Sequence, residues 1–342
     1  MKIMSKYVQN YYHLFLFTPY FYNSIIILGD SMKNRKIKIV PIIIVIVIIT
    51  VMIISIIGFK KFIDYRNSYD YKLSKVGYQT EEIKTIRKLK NNQIDIILKM
   101  DYNQNIDDFI KQKYFIFDNL TDYLKYLKNN NDESIKDIIS IVNVGTNHEH
   151  YTETKATDMS KKDLILVNKY NYLSKNYEPD DLVNIPLQYA YDDNKAREHV
   201  YEAFKDMWYA ASKEDLTLII TSSYRSYAEQ EQIHKSYANQ KGQEWADSVS
   251  ARPGYSEHQT GLTLDIVTYN STMDNFENTD EFKWLQKNSY KYGFILRYPK
   301  DKTYITGYDY ESWHYRYVGK KVAKEIHDLD ITYDEYYAFY LK

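Results

Sequence analysis

The sequence predicts an α+β domain, with a small and largely antiparallel sheet flanked by helices, in the C-terminal half of the chain. Short apolar runs of strand length alternate there with longer segments of helical periodicity. No regular strand–helix–strand repeat connects them, which argues against a parallel sheet. A transmembrane helix and a helical stalk are predicted to precede this domain.

Composition narrows the classes of function. The chain has 342 residues, and its 44% apolar content is enough to build a core. A formal net charge of -1 favours neither nucleic acid nor an acidic partner. Cysteine is absent, so any metal must be bound by His, Asp or Glu. The 38 tyrosines accompany abundant Ile, Lys and Asn, which indicates an AT-rich genome rather than a function. No feature indicates an oligomeric state.

A transmembrane signal anchor is predicted at residues 32–61. Residues 39–59 contain no charge and are numerous enough to span a bilayer as a helix. Basic residues lie on both sides with a slight excess before the run, which favours an N-terminus inside the cell and the bulk of the chain outside. A cleaved signal peptide is the alternative. The run is long for a signal peptide and no small-residue cleavage site follows it, so we expect an uncleaved anchor.

Residues 1–31 fit this organisation poorly. The stretch 12–28 is aromatic and apolar, but Pro19 and Asn23 interrupt it. A second membrane helix there would reverse the topology. Met32, however, begins a segment that reads as a complete signal anchor by itself. Our hypothesis is that translation starts at Met32 and that the start of the protein has been placed too far upstream, which adds residues 1–31.

Residues 62–150 are predicted to form a helical stalk. Thr80 followed by Glu81 and Glu82 is a helix start, and Ile83 and Ile86 follow at helical spacing. A second segment of this kind covers 106–110. The polar stretch 146–162 is the expected boundary, which assigns residues 151–342 to the C-terminal domain. The sequence His148-Glu149-His150 lies in that stretch and could chelate a metal on a strand. Nothing nearby predicts a strand, and a solvated loop is the better interpretation.

The elements of the C-terminal domain follow from local patterns. A helix is predicted at 194–212, with its apolar residues on one face. The elements predicted after it are a strand at 216–220, a helix at 228–241, a strand at 262–267, a helix at 280–292, and strands at 294–298 and 313–318. Gly293 should end the helix before it. Thr332 and Glu335 form a capping box for a last short helix.

Three segments of this domain have reactive side chains. In the segment 256–266, a strand would direct Leu264 and Ile266 into the core and Asp265 to the opposite, polar face. His258 lies a short turn earlier, so both side chains can reach one point. The segment 311–319 contains His314 with Glu311 three residues before it. The segment 222–226, with sequence SSYRS, places Arg225 just beyond a strand end.

These residue types suit a catalytic metal site. Two His and one Asp as ligands leave the fourth tetrahedral position open, as in catalytic zinc sites. Glu311 is then a candidate general base beside the metal, and Arg225 could stabilise an oxyanion or bind a substrate carboxylate. Taken singly, a His near a strand is more often a hydrogen-bonded structural residue, and each spacing occurs by chance. The combination in this order indicates a site.

The segments resemble the VanY-type D-alanyl-D-alanine carboxypeptidases, zinc peptidases that share a fold with the hedgehog signalling domain. The family pattern S-x-H-x-x-G-x-x-x-D is met by Ser256, His258, Gly261 and Asp265, and E-x-W-H is met by Glu311, Trp313 and His314. The pattern S-x-Y-R-S with a following Gln resembles Ser222, Tyr224, Arg225, Ser226 and Gln230. The resemblance covers about the last 180 residues.

The resemblance implies one zinc ion bound by His258, Asp265 and His314, with Glu311 as base and Arg225 as the anion-stabilising residue. Substrate contacts are expected from Ser223, Tyr224, Gln230 and Ser256. Ser312 and Thr263 stand where many relatives have proline and alanine, and the Thr263 hydroxyl is expected on the Asp265 face. Arg297 and Tyr298 are expected near the site or in a structural ion pair and the core.

Removal of the terminal D-alanine from peptidoglycan stem peptides is therefore the expected activity. The chain would be a single-pass protein of the cell membrane, with its catalytic domain outside a Gram-positive-like bacterium. An L,D-carboxypeptidase acting on the tetrapeptide stem, and a dipeptidase, remain alternatives on the same scaffold. A non-catalytic cell-wall binding module is an alternative of another class, against which Glu311 argues because binding needs no general base. A membrane-tethered structural protein would leave the four convergent residues unexplained.

Overall fold

The computed structural model describes residues 39–342, and these divide between two compact units. The first unit ends at Gly77, and the second extends from Tyr78 to Lys342. The expectations for residues 1–31 and for the beginning of the anchor at 32–38 lie outside the described residues.

The first unit contains two helices, α1 (Ile39–Asn67) and α2 (Tyr69–Val76). Helix α1 has 29 residues, and none of its side chains is buried. Within the described residues it is the one helix long and apolar enough to cross a membrane. Ser68 separates the two helices, and its side chain accepts a hydrogen bond from the backbone N–H of Tyr71, which caps α2.

The second unit begins with short helices, as the periodicity predicts. They are α3 (Thr80–Ile86), α4 (Asn91–Ile97), α5 (Asn105–Ile110), α6 (Leu120–Asn129) and α7 (Ile135–Val144). Helix α3 begins at the predicted Thr80, because the Glu82 carboxylate accepts a hydrogen bond from the backbone N–H of Gln79 at 2.6 Å. Phe109, Tyr123 and Ile138 form the centre of a small core between these helices.

These helices pack against the C-terminal end of the chain. The Ser140 hydroxyl donates to Glu335 at 2.6 Å, and the Lys342 ammonium donates to the backbone carbonyl of Asn143 at 2.8 Å. The ring of Tyr114 stacks on Phe339, with centroids 3.9 Å apart. The helices therefore share a compact unit with the domain that follows, and the boundary at 146–162 stays a prediction.

The remaining strands and helices form the α+β domain, which confirms the predicted fold class. The strands are β1 (Lys155–Ala156), β2 (Asn171–Tyr172), β3 (Leu182–Ile185), β4 (Asn194–Arg197), β5 (Ile219–Ser222), β6 (Thr263–Val267), β7 (Phe294–Leu296) and β8 (His314–Tyr317). The helices are α8 (Glu198–Ser212), α9 (Tyr227–Lys241), α10 (Gln243–Val249), α11 (Asp280–Asn288), α12 (Thr303–Thr306), α13 (Lys320–Leu329) and α14 (Tyr333–Tyr336). The main sheet has the order β5-β6-β8-β7, and every neighbouring pair in it is antiparallel.

Several predicted boundaries differ from the structure. Residues 194–197 were predicted as helix but form β4, because they pair with β3 in an antiparallel ribbon and α8 begins only at Glu198. The helix predicted at 280–292 changes after Asn288 to a 3₁₀ turn, which ends at Gly293 in the left-handed conformation as expected. The capping box of Thr332 and Glu335 is confirmed, with both of its hydrogen bonds present.

The two faces of the main sheet differ in chemistry. Leu264 and Ile266 of β6 lie on one face and belong to the main core, together with Val200, Phe204 and Met207 of α8. Asp265 lies on the other face, opposite His314 of β8. We call these the apolar face and the polar face. Both are buried: all five residues of β6 are inaccessible to solvent or nearly so.

Candidate active site

A tight turn places His258 beside the polar face. Residues Glu257–Thr260 form a single 3₁₀ turn, and the Ser256 side chain caps it by accepting from the backbone N–H of His258. Gly261 ends the turn with φ of +67°, in the left-handed region. A Cβ at this position would lie 2.9 Å from Arg197 and 3.0 Å from Leu182, so both conformation and space require glycine.

Strand register brings the other two candidate ligands together. Asp265 of β6 is directly opposite His314 of β8, and their side chains therefore lie next to each other on the polar face. On its other side, Asp265 is paired with Ser222 of β5. The sheet thus supplies two of the three predicted ligands from one cross-strand pair.

The three predicted ligands converge on one point. His258, Asp265 and His314 are buried, and their ligand atoms lie within 4.8 Å of one another. His258 Nε2 is 3.4 Å from Asp265 Oδ2, and His314 Nδ1 is 3.3 Å from Asp265 Oδ1. Metal–ligand bonds of about 2.0–2.1 Å at tetrahedral angles separate neighbouring ligand atoms by about 3.4 Å. Asp265 Oδ1 is buried without a hydrogen bond to the described residues, so the donor set fits a zinc ion.

The protonation states suit metal binding at His258. Its Nδ1 lies 2.6 Å from the backbone carbonyl of Ser223, which fixes the proton on that nitrogen and leaves the Nε2 lone pair for a metal. Burial lowers the pKa of His258 to about 3, against the pull of Asp265. Burial alone would raise the pKa of Asp265, but the two neighbouring histidines outweigh it and hold the carboxylate ionised.

His314 has three carboxylates around it. Burial opposes its protonation, but Asp265, Glu257 and Glu311 outweigh burial and raise the pKa of His314 well above its ordinary value. A metal ion at Nδ1 would take the place of a proton there, and its positive charge would then lie among the same carboxylates.

Glu311, the predicted general base, lies next to the three predicted ligands. Its Oε2 lies 3.1 Å from His314 Nδ1, and its side chain is 18% exposed, more than those of the three ligands. Burial raises the pKa of Glu311, while the hydrogen bond with His314 acts in the opposite direction. The carboxylate therefore lies beside the predicted ligands, and it lines a pocket next to them.

Arg225 lines the same pocket, which has a volume of about 280 Å³. Its guanidinium donates to Gln230 Oε1 at 2.8 Å and to Ser222 Oγ at 2.9 Å. Gln230 is itself held by Ser250 and by the backbone carbonyl of Ala251. Arg225 is therefore fixed in position and keeps other N–H donors for an anion.

The structure places two of the four predicted substrate-contact residues in the pocket. Gln230 and Ser256 line the pocket, although Gln230 uses its amide to hold Arg225. Ser223 and Tyr224 do not line it, and their expected substrate contacts stay predictions. The Ser223 hydroxyl is buried and donates to Asn194 Oδ1 at 2.7 Å, because residues 222–226 run alongside β4. What Ser223 contributes to the site is its backbone carbonyl, which contacts His258.

The structure also gives outcomes for the Thr263 hydroxyl and for the motif at residues 148–150. The Thr263 hydroxyl lies on the polar face, as expected, but it has no hydrogen bond to any described residue. His148, Glu149 and His150 are exposed in the loop after α7, and they belong to no metal-ligand group among the described residues. The motif therefore lies in an exposed loop, as predicted.

Sequence reasoning missed a buried charge cluster beneath the ligands. Glu257 accepts from Arg297 Nε at 2.8 Å and from Arg316 Nη1 at 2.9 Å, and Arg297 also donates to Asp334 at 2.6 Å. These four side chains are almost completely buried. The structural ion pair expected for Arg297 is confirmed, and Tyr298 is a buried tyrosine that also borders the pocket, 4.7 Å from the His314 ring. The alternation along β8 places Arg316 on the face of His314, but no sequence signal paired it with Glu257.

Known proteins share these segments. The family model of VanY, described as D-alanyl-D-alanine carboxypeptidase, matches residues 193–320. The bifunctional D-Ala-D-Ala dipeptidase and D-Ala-D-Ala carboxypeptidase VanXYC of Enterococcus gallinarum is 33% identical over 182 residues, which are 52% of this chain and 94% of that protein. The chain belongs to the VanY family. Putative carboxypeptidase YodJ of Bacillus subtilis is 45% identical to this VanY-family chain over 181 residues, which are 51% of the chain and 66% of YodJ.

A solved structure agrees with the fold of this VanY-family domain. The LdcB LD-carboxypeptidase, from a study of peptidoglycan recognition, superposes with a TM-score of 0.52 at 42% identity. The match covers 55% of the VanY-family chain and 91% of the LdcB chain. At this identity, the likeness supports both the arrangement of the sheet and the assignment to a carboxypeptidase family.

Proposed function

We propose that this chain is a zinc-dependent D-alanyl-D-alanine carboxypeptidase that removes the terminal D-alanine from peptidoglycan stem peptides. The observation that carries the proposal is the convergence of His258, Asp265 and His314 beside Glu311, in a pocket that also holds Arg225. Membership in the VanY family supports the reaction class. Retention of Glu311 next to the ligands argues for catalysis over binding alone.

Each residue has a role that its position suits. His258 Nε2, the Asp265 carboxylate and His314 Nδ1 would hold the zinc ion. When bound, zinc supplies a Lewis acid that polarises a peptide carbonyl and favours attack by water near neutral pH. Glu311 Oε2 would accept a proton from the attacking water and deliver it to the leaving amine of D-alanine. Arg225 would donate to the terminal carboxylate or to the developing oxyanion.

A second candidate is hydrolysis of the L,D bond at the end of the tetrapeptide stem. The likeness to the LdcB LD-carboxypeptidase favours it, since that structure has 42% identity to this chain. The same ligands, base and arginine would serve both reactions. The two candidates differ only in which substrate stereochemistry the pocket accepts next to the scissile bond.

We also propose that residues 32–61 anchor the chain in the cell membrane, with the catalytic domain outside. The length and apolar surface of α1 support this proposal. In intact cells, an externally added protease should then degrade the domain. Protection of the domain until the membrane is permeabilised would contradict the orientation.

The proposed activity is tested by end-product analysis with synthetic pentapeptide and tetrapeptide stems. The full chain in detergent micelles is the enzyme, and released D-alanine is measured with and without a chelator. We expect release from the pentapeptide, loss of release on chelation and recovery when zinc is restored. Release from the tetrapeptide alone would move the assignment to the L,D-carboxypeptidase.

Glu311→Gln should reduce the turnover of the zinc-loaded enzyme by roughly 10²–10⁴-fold, because the amide cannot transfer a proton. Its matched control is Glu244→Gln, the same change at an exposed position of α10, which should leave turnover unchanged. Zinc content and unfolding are measured for both variants. A Glu311→Gln variant that binds zinc and retains full turnover would contradict the role of Glu311. If the unmodified chain binds zinc but hydrolyses neither stem peptide, the result would favour the non-catalytic binding module.

A further inference from the structure

Glu257 lies beneath the candidate zinc site, at the centre of the buried charge cluster. Its side chain has no solvent-exposed surface, and its Oε1 accepts from both Arg297 and Arg316. The two guanidinium groups therefore hold the carboxylate ionised and fix its orientation. The second oxygen, Oε2, takes part in neither of these bonds.

That second oxygen faces a candidate zinc ligand. Glu257 Oε2 lies 3.7 Å from His314 Nε2, and both atoms are buried without a hydrogen bond to any described residue. On the opposite side of the same imidazole ring, Nδ1 faces Asp265 and Glu311. The ring is thus placed between the metal site at Nδ1 and the Glu257 carboxylate at Nε2.

We propose that Glu257 is a positioning residue for the zinc site, whose Oε2 accepts the Nε2 proton of His314 and so keeps the Nδ1 lone pair directed at the metal. The inference rests on the proposed zinc site. The distance of 3.7 Å exceeds a hydrogen bond, and a small rotation of the ring or of the carboxylate closes the difference. Metal-bound histidines commonly donate their other ring N–H to a carboxylate or carbonyl, which fixes tautomer and orientation and strengthens the ligand.

The other predicted histidine ligand, His258, already has an acceptor at its second ring nitrogen. His258 Nδ1 contacts the backbone carbonyl of Ser223 at 2.6 Å, so its orientation is fixed by a main-chain group. His314 has no such main-chain partner at Nε2 among the described residues, and Glu257 is the acceptor that faces it. The two histidines would therefore be oriented by different kinds of acceptor, one neutral and one charged.

A purely structural role is the competing explanation, since Glu257 also neutralises two buried arginines. Asp334 provides the control, because it accepts from Arg297 Nη1 at 2.6 Å in the same cluster. Asp334 forms no hydrogen bond or ion pair with His314. Glu257→Gln and Asp334→Asn each remove one negative charge from the cluster, but only the first changes the group that faces the ligand.

The test compares zinc affinities of the full chain in detergent micelles, measured by competition with a chromophoric chelator. Glu257→Gln should weaken zinc binding by roughly 10–100-fold, while Asp334→Asn should remain within about threefold of the unmodified chain. Equal affinities for the unmodified chain and a folded Glu257→Gln variant would overturn the proposal. Equal losses in both variants would also overturn it, because they would reflect the charge cluster alone.

A spectroscopic measurement keeps the proposal testable if Glu257→Gln does not fold. With ¹⁵N-labelled histidine, the zinc-loaded unmodified chain should show His314 protonated at Nε2, identified by comparison with His314→Gln. A proton on Nδ1 would overturn the proposal, and so would an Nε2 proton without the downfield shift that a hydrogen bond to a carboxylate gives.

These readouts need no substrate, so they separate this proposal from the proposed function. If the unmodified chain binds zinc and Glu257→Gln weakens binding, but no stem peptide is cleaved, the positioning role stands and the proposed activity fails. If the unmodified chain does not bind zinc, both fail.

Discussion

The two faces of the central sheet are equally buried, but they are stabilised in different ways. On the apolar face, Leu264 and Ile266 belong to a hydrophobic core that also contains Phe204 and other residues of α8. On the polar face, Asp265, His314 and Arg316 are as buried as those aliphatic residues. Their stability depends on charges of opposite sign at matched positions.

The two faces therefore contribute differently to folding and to the proposed function. Burial of the apolar face is favourable by itself, at roughly 25 cal/mol per Å² of apolar surface. The polar face contains buried atoms without protein partners, including Asp265 Oδ1 and His314 Nε2. Such atoms cost stability unless a ligand or a small rearrangement satisfies them. The polar face is therefore the face at which we propose that zinc binds.

The largest effect on stability is expected from breaking the charge cluster. Arg297→Met should lower the free energy of unfolding by about 3–5 kcal/mol, because it leaves Glu257 and Asp334 with one charged neighbour fewer in a buried setting. Arg252→Met is the matched control: Arg252 also pairs with a carboxylate, Asp247, but its side chain is 39% exposed. That change should cost at most about 1 kcal/mol. Urea denaturation of both variants makes the comparison, and equal losses would contradict it.

An intermediate effect on stability is expected from substitution of a proposed zinc ligand. Zinc at about 100 times its dissociation constant should stabilise the unmodified chain by about 2.7 kcal/mol, and Asp265→Asn should lose this stabilisation. Glu311→Gln makes the same chemical change in the same pocket at a residue that is not a proposed ligand, so it should keep most of the stabilisation. Thermal unfolding with and without zinc is the measurement. Zinc stabilisation that persists in Asp265→Asn would remove Asp265 from the proposed ligand set.

The smallest expected effect on stability comes from two substitutions in β6, one on each face of the sheet. Thr263→Val removes a buried hydroxyl without a partner on the polar face and should leave stability unchanged or raise it by about 1 kcal/mol. Ile266→Val removes one methylene from the apolar face and should lower stability by about 0.5–1.5 kcal/mol. Denaturation midpoints of the two variants test the sign of the difference. A loss on Thr263→Val would show that the hydroxyl has a stabilising partner.

Local sequence patterns were sufficient to predict the fold class and several helix boundaries of this protein. The α+β class, the start of the helix at Thr80 and the capping box of Thr332 and Glu335 follow from short-range rules, and the structure agrees with them. The stretch 194–197 is different, because its strand conformation depends on pairing with β3, a partner that the stretch itself does not reveal. The packing of α7 against Glu335 likewise joins residues 195 positions apart, which no local pattern contains.

The sequence by itself determined which residues could act: the motifs singled out His258, Asp265, His314, Glu311 and Arg225, because their residue types and order suit a metal peptidase. Only the tertiary structure decided how they are supported. Register sets Asp265 opposite His314. The fold directs the Ser223 side chain away from the pocket and places Glu257 next to His314, a proposed zinc ligand. The physical reason is that reactivity depends on side-chain chemistry, whereas orientation depends on partners that are distant along the chain and meet only when the sheet has formed.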